Sequence, residues 1–346
     1  MARWNRSLGY VDCFAGPGEY LGGEPGSPIV ALEIARQFLS SQILKPHQLA
    51  MVFIEAEKRR FAHLVNQCAA FRAAHPELGT IEIETVFGRY SDKVADADAL
   101  LRKRASGTVP IFYFIDPCGV KGMPYRLFRV LLAPERNEIL VTFMYEEINR
   151  FLDTPEFEEH LDVMFGEPDW RRLRDLSGGE RKRSTADYFK GRLLNAGAKY
   201  VVAFEMRNAR NATDYFLFFA TKGNRGLEVM KQAMWEVDKS GNFTFSDYTY
   251  SLGPMLIEPS PDYVPLQRQI AAEFVNRRNV NMAEIREFVL TRTSFYRFME
   301  QALRPMIARN ECYVETADGH SSRLDRDTNI SFVPRIGSQT ALFGGH

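Results

Sequence analysis

The chain has 346 residues with 45% hydrophobic content, enough to bury one large core or two smaller ones and too apolar to stay disordered. Lysine plus arginine equals aspartate plus glutamate at 44 each, which excludes the strongly basic field that grips nucleic acid unaided, so any polyanion must meet a local patch. No apolar run reaches bilayer-spanning length, and residues 1–6 do not lead into a signal-peptide core; the expectation is a cytoplasmic protein with no membrane segment.

The first element is an apolar strand that runs into a glycine-rich turn, LGYVDCFAGPGEYLGGEPGS over residues 8–27. Such a turn brings backbone N–H groups and a helix N-terminus near a polar ligand. Asp12 inside the strand adds a fixed carboxylate, which suits a ligand with an ammonium group better than a pyrophosphate. A dinucleotide turn needs a third glycine where this chain has Leu21. A helix follows from Ser27, read as its N-cap, with Pro28 at the first helical position.

A strand over residues 49–55 (LAMVFIE), a helix from Glu57 to about Ala74, a strand at 80–86 and a helix at about 91–105 come next. They are followed by a strand at 109–116 (VPIFYFID), a helix near 125–132 and a strand at 138–144. Alternation of helices with strands apolar on both faces predicts a doubly wound, mostly parallel α/β sheet. Ligands bind beyond the carboxyl ends of such strands, and three of those ends carry the glycine turn, Glu55 and Asp116.

Residues 145–198 turn helical and polar, and read as a helical insertion over the ligand edge. Arg171, Arg172, Arg174, Arg181, Lys182, Arg183, Lys190 and Arg192 form the densest basic run of the chain there, either a nucleic-acid surface or a solvated helix face. Strands at 199–206 and 213–221 form a hairpin, a helix covers 226–237, and an irregular loop up to Pro265 marks a domain boundary. Three helical stretches (266–277, 282–290, 294–307) and two strand candidates (312–316, 330–334) then have the order of a winged helix over 262–336, with a tail at 337–346. That segment from Asp262 has 11 arginines against 10 acidic residues, so nucleic-acid contact and protein docking stand equal. Cys13, Cys68, Cys118 and Cys312 lie far apart with no C-x-x-C pair, and the histidines are scattered, so reduced thiols and no metal site are expected.

The set Asp12-Cys13-Phe14-Ala15-Gly16-Pro17-Gly18, Glu55 and Asp116-Pro117-Cys118-Gly119 resembles a class I S-adenosylmethionine-dependent methyltransferase. The runs YVDCFAGPGEY, GSPIVAL, VFIEAE, FIDPCGVKGMP and FFATKGNRGLEVMKQAMW resemble, over nearly the full length, the three-Cys-motif partner protein (TcmP) family. The resemblance implies a Rossmann-like methyltransferase sheet over 1–144 and 199–260, S-adenosylmethionine as cofactor, and a partner with a three-cysteine, radical-SAM-like motif. It also implies that Asp12 holds the methionine ammonium, that Phe14, Ala15, Gly16 and Gly18 wrap the amino-acid end, and that Glu55 accepts from both ribose hydroxyls. Gly88 and Arg89 would lie near the adenine.

Asp116-Pro117-Cys118-Gly119 stands where amino-methyltransferases carry a D/N-P-P-aromatic motif, whose oxygen positions an NH₂ and whose ring stacks on a flipped base. This chain keeps Asp116 and Pro117 and loses the second proline and the ring. The options are a base held by Tyr20 or Tyr145, a non-base substrate, or a site that binds cofactor without methylating. Two functions follow: a methyltransferase acting on nucleic acid (RNA or DNA) or an associated substrate, and a partner-binding module on a methyltransferase scaffold.

Overall fold

The computed structural model describes residues 5–104, 109–247, 261–315 and 324–333. The expected tail at 337–346, the centre of the loop before Pro265 and the outer ends of the last two strand candidates lie outside the described residues. Two compact units divide the chain: residues 1–226 with 245–253, and 227–244 with 254–346.

The first unit holds β1 (Leu8–Asp12), α1 (Ser27–Ser40), β2 (Leu49–Glu55), α2 (Lys58–Ala74), β3 (Glu82–Phe87), α3 (Tyr90–Arg104), β4 (Ile111–Ile115), α4 (Tyr125–Leu132) and β5 (Glu138–Phe143). The helices α5 (Tyr145–Phe151), α6 (Glu158–Phe165) and α7 (Gly178–Asn195) follow, then the hairpin β6 (Tyr200–Arg207) and β7 (Thr213–Thr221). With β8 (Thr244–Ser246) these strands make one eight-stranded sheet in the order β3-β2-β1-β4-β5-β7-β6-β8. Strands β1 to β5 are parallel, while β7 runs antiparallel to both β5 and β6. The architecture is α/β with a mostly parallel sheet.

The two-face-apolar strands have a direct explanation in β2. Met51 and Phe53 pack with Leu32 and Ala35 of α1 and Leu64 and Cys68 of α2, while Val52 and Ile54 point into a second core with Val94 and Ala97 of α3. Period-two alternation sends successive side chains to opposite faces, and each face is covered by helices.

Ser27 does not cap α1. Gly26 stands at the cap, and the Ser27 hydroxyl turns away to donate to the Asp12 carboxylate at 2.6 Å. The segment 76–80 is a tight turn of 3-10 helix led by Pro76, so β3 begins two residues later than the sequence pattern gives.

Residues 145–198 are helical, as expected, but they are no separate layer over the ligand edge. Ile148, Leu161, Phe165, Trp170 and Phe189 belong to the main core of the sheet, and the Phe189 ring lies 4.4 Å from Phe143 of β5 and 5.1 Å from Phe218 of β7. Five of the eight cations of the basic run are paired with carboxylates. Arg171 pairs with Glu158 and Asp162, Arg174 with Glu158, Arg181 with Asp153, Lys182 with Glu205, and Arg192 with Glu167. Charges neutralised at these distances leave little field for a polyanion.

The second unit takes most of α8 (Asn224–Val237), which the sequence reading places with the sheet. It continues with α9 (Val264–Glu273), β9 (Val280–Asn281), α10 (Met282–Arg292), α11 (Met299–Ala308), β10 (Tyr313–Glu315) and β11 (Asn329–Ser331). The three strands form an antiparallel sheet in the order β10-β11-β9. Lys231 explains the reassignment of α8: its ammonium, 1% exposed, donates to the carbonyls of Leu290 at 2.5 Å, Thr293 at 2.6 Å and Phe295 at 3.3 Å. Trp235 adds an indole N–H bond to the Ser294 carbonyl at 3.1 Å. A helix whose buried lysine ties down the end of α10 folds with that helix.

Candidate functional site

The carboxyl ends of β1, β2, β3 and β4 open on one cavity of about 1220 Å³. Its walls include Cys13, Phe14, Ala15, Gly16, Glu55, Gly88, Arg89, Asp116 and Cys118. Parallel strands end in register on one edge, so tips far apart in sequence meet there. The Cys13 N–H donates to the Phe114 carbonyl of β4 and the Ala15 N–H to the Ile54 carbonyl of β2, both at 2.9 Å, which pins the turn between its neighbours.

Beyond Ala15 the backbone turns left-handed at Gly16 (φ +65°) and Gly18 (φ +85°), conformations that favour glycine. The Gly26 N–H donates to the Gly18 carbonyl at 2.7 Å, and a side-chain carbon on Gly26 would stand 3.1 Å from that carbonyl. Between these glycines a short hairpin, bridged at Glu19 and Pro25, carries Tyr20 and Leu21 outward beside the cavity; they are 62% and 110% exposed. Helix α2 holds the base of the loop: His63 Nδ1 lies 2.8 Å from the Pro17 carbonyl, and the Gln67 amide donates to Glu19 at 2.6 Å.

Glu55 ends β2 with its carboxylate on the cavity wall. Oε1 accepts the Glu57 N–H at 2.6 Å, which fixes its orientation and leaves acceptor capacity on the group. Asp116 follows β4 and is solvent-accessible within the cavity. Desolvation by the surrounding protein raises its carboxyl pKa, against the lowering effect of a hydrogen bond from Thr142 of β5. Pro117 is buried and lies outside the lining residues, whereas Cys118 is exposed into the cavity. Gly119 has φ +127°, and a side-chain carbon there would meet the Glu147 carboxylate at 2.5 Å. The Phe14 ring packs 5.3 Å from that of Tyr90, which closes the floor between β1 and α3.

Asp12 is not on the wall. It is fully buried behind the turn, where its carboxylate accepts the Phe14 N–H at 3.2 Å and the Ser27 hydroxyl at 2.6 Å. Burial pushes its pKa up to about 7, tempered by those two hydrogen bonds, with Asp116 and Glu55 raising it slightly further. The residue buttresses the glycine turn and does not present a free carboxylate to a ligand. Tyr145 is buried against Phe216 and also lies off the wall, so of the two tyrosines proposed to stack on a base only Tyr20 faces the cavity.

Sequence reasoning passed over Arg59, Arg60 and His63, which line the cavity from the first turns of α2. The signal was present as Lys58-Arg59-Arg60, three cations in the first turn of a helix whose dipole disfavours them there.

Fold and site together define an α/β protein with a cavity on the carboxyl edge of its sheet. No family model and no curated protein matches the chain. A solved structure of a Legionella pneumophila protein assigned to family model DUF519 matches with 14% identity and a TM-score of 0.33, over 64% of this chain and 78% of that one. A likeness that low bears on neither fold nor function. Among the described residues no helix is long and apolar enough to cross a membrane.

Proposed function

We propose that the chain is an S-adenosylmethionine-dependent methyltransferase acting on nucleic acid or a nucleic-acid-associated substrate, working with a three-Cys-motif, radical-SAM-like partner. The observation that carries this reading is the convergence of the glycine turn, Glu55 and Asp116 on one cavity. The order β3-β2-β1-β4-β5 is that of a nucleotide-binding sheet, and the reversed β7 seated between β5 and β6 is a departure from a dinucleotide sheet that suits the methyltransferase resemblance.

The residues fit the cofactor by their chemistry. An oriented carboxylate on the cavity wall at the tip of β2 suits a pair of ribose hydroxyl donors, and the left-handed turn at Gly16 and Gly18 leaves room for an amino-acid end. When bound, the cofactor supplies a methyl group on a sulfonium. Asp116, with its pKa raised, accepts a hydrogen bond from an acceptor N–H and can take the proton that the nitrogen loses as the new N–C bond forms. Cys118 offers no ring, so a stacked base would rest on Tyr20. The order of the second unit, α9-β9-α10-α11-β10-β11, supports a winged-helix reading.

One observation favours the second reading, a partner-binding module on the same scaffold: no aromatic side chain stands in Asp116-Pro117-Cys118-Gly119 to clamp an acceptor. Calorimetric titration with S-adenosylmethionine on the full chain and on Glu55→Ala tests the cofactor site, and the variant should bind at least tenfold more weakly. Transfer of labelled methyl groups to total RNA and DNA, with and without the partner, separates enzyme from module. Absence of binding by the unaltered chain removes the enzyme reading and leaves the module.

A further inference from the structure

The cofactor proposed above has no phosphate and a net positive charge, yet its cavity is lined by Arg59, Arg89 and Lys121, all exposed. None of the three has a carboxylate within ion-pair distance among the described residues. Arg60, beside them, is paired with Glu57 at 3.8 Å, and Lys121 lies only over the Phe157 ring at 5.8 Å. On α7 and the turn before it Arg171, Arg174, Arg181 and Arg192 are each neutralised by a carboxylate, while Arg172, Arg183 and Lys190 have none within ion-pair distance among the described residues. Arg59 also sits in the first turn of α2, against the helix dipole, just after the N-cap Glu57, whose carboxylate accepts the Arg59 backbone N–H at 2.9 Å. The same wall carries Glu19, Glu55, Glu57 and Asp116, but none of these carboxylates pairs with the three cations, which stay open to an anionic group from outside the chain.

The sheet order fixes how these cations are arrayed. Arg89 follows β3, Arg59 follows β2 and Lys121 follows β4, with β1 between the last two. At a strand spacing near 4.8 Å the array extends over about 14 Å, a length on which a nucleic-acid strand presents several phosphates. Tyr20 and Leu21 project beside the same cavity and provide the exposed flat and apolar surface on which a base stacks. At about 1220 Å³ the cavity exceeds the usual range for a single small ligand, which leaves space for a base next to the cofactor.

We propose that the rim of this cavity is a single-strand nucleic-acid track, with Arg59, Arg89 and Lys121 as its phosphate contacts and Tyr20 as its stacking platform. The strand is held here, and the basic run at 171–192 does not carry it. The inference rests on the methyltransferase reading only for the reason a base enters the cavity; the phosphate contacts stand on charge and placement.

The test is the affinity of labelled 12-nucleotide single strands, one RNA and one DNA of the same sequence, measured by fluorescence anisotropy from 50 to 200 mM KCl. Three single-strand phosphate contacts give a log–log salt slope near −2, a loss of about 20-fold over that range. Arg59→Ala, Arg89→Ala and Lys121→Ala should each flatten the slope by about 0.7, and the triple variant should be nearly salt-independent. Tyr20→Ala should weaken binding about tenfold without changing the slope. Preference for the RNA or the DNA arm identifies the source of the strand and supports the track either way. Unchanged slopes in the triple variant overturn the inference, as does a slope that falls instead with Arg183→Ala and Lys190→Ala. Adenosine monophosphate binding as tightly as the 12-mer overturns it too, because the site would then take a small phosphorylated molecule. Glu55→Ala separates the two proposals: it should weaken cofactor binding at least tenfold and leave the strand's salt slope intact.

Discussion

Asp12→Asn removes a charge that the fold buries and keeps the shape that holds the turn. The carboxyl has a pKa of about 7 in the folded chain against an ordinary 3.8, chiefly because desolvation disfavours its ionised form. A raised acid pKa means that the folded state binds the proton more tightly than the unfolded one. The resulting stability is therefore complete below about pH 4, declines as pH rises towards 7, and stays at its lower level above that. At 1.36 kcal/mol per pKa unit the full swing is about 4 kcal/mol, of which about 2.5 kcal/mol falls between pH 5 and pH 8. Asparagine does not titrate, so in urea denaturation followed by circular dichroism the variant should gain on the unaltered chain by about that amount between those two pH values. The same residue also reports on the cofactor. A cationic ligand settling beside the turn would lower the Asp12 pKa and expel a proton, so near pH 6.5 the heat of binding should vary with the ionisation enthalpy of the buffer, and should cease to do so in Asp12→Asn. A stability difference independent of pH would refute the burial argument. Proton release that persists unchanged in the variant would show that Asp12 is not its source.

Gly26→Ala presses a methyl group against the Gly18 carbonyl 3.1 Å away; it should cost about 1–3 kcal/mol, read as a lowered melting temperature, and weaken cofactor binding in calorimetry by moving the turn. Lys231→Met leaves the carbonyls of Leu290, Thr293 and Phe295 without their donor, and should destabilise the second unit by about 3 kcal/mol, measured as faster amide exchange in α8 and α10 with the sheet unit unaffected. Gly119→Ala combines a left-handed backbone with a 2.5 Å approach to Glu147, so methyl transfer should fall at least tenfold while cofactor affinity, set at Glu55, changes little; an unaltered rate would mean that the Asp116 loop does not position the acceptor.

The sheet was legible because each strand is short, apolar and punctuated. In β2 the unbroken run of buried residues encodes a strand covered on both faces, and the carboxylate at its end marks the ligand edge. Composition could not show which charges are free. The basic residues of 171–192 look alike in sequence to Arg59 and Arg89, and only the approach of Glu158, Asp162 and Glu205 in the folded chain neutralises Arg171, Arg174 and Lys182. The assignment of α8 failed for a related reason. Its apolar spacing is that of any amphipathic helix, and the partner that claims it is a set of backbone carbonyls some 60 residues downstream, which no local pattern announces. The tie between Asp12 and Ser27 is not legible in the sequence, because a serine ahead of Pro28 has the pattern of a helix cap and nothing local marks its hydroxyl as a donor to a carboxylate 15 residues earlier.

The reversed strand β7 has a consequence for how the protein is made. Strand β5, with the sequence EILVTF, gains its second neighbour only when β7 has been synthesised, roughly 80 residues later or about 4–16 s at ordinary translation rates. Through that interval a nascent chain displays an open apolar edge able to pair with another chain. Ribosomal stalling or a nonsense codon before residue 213 should thus yield an aggregating fragment, and a chaperone that shields strand edges would bind best to chains arrested between β5 and β7.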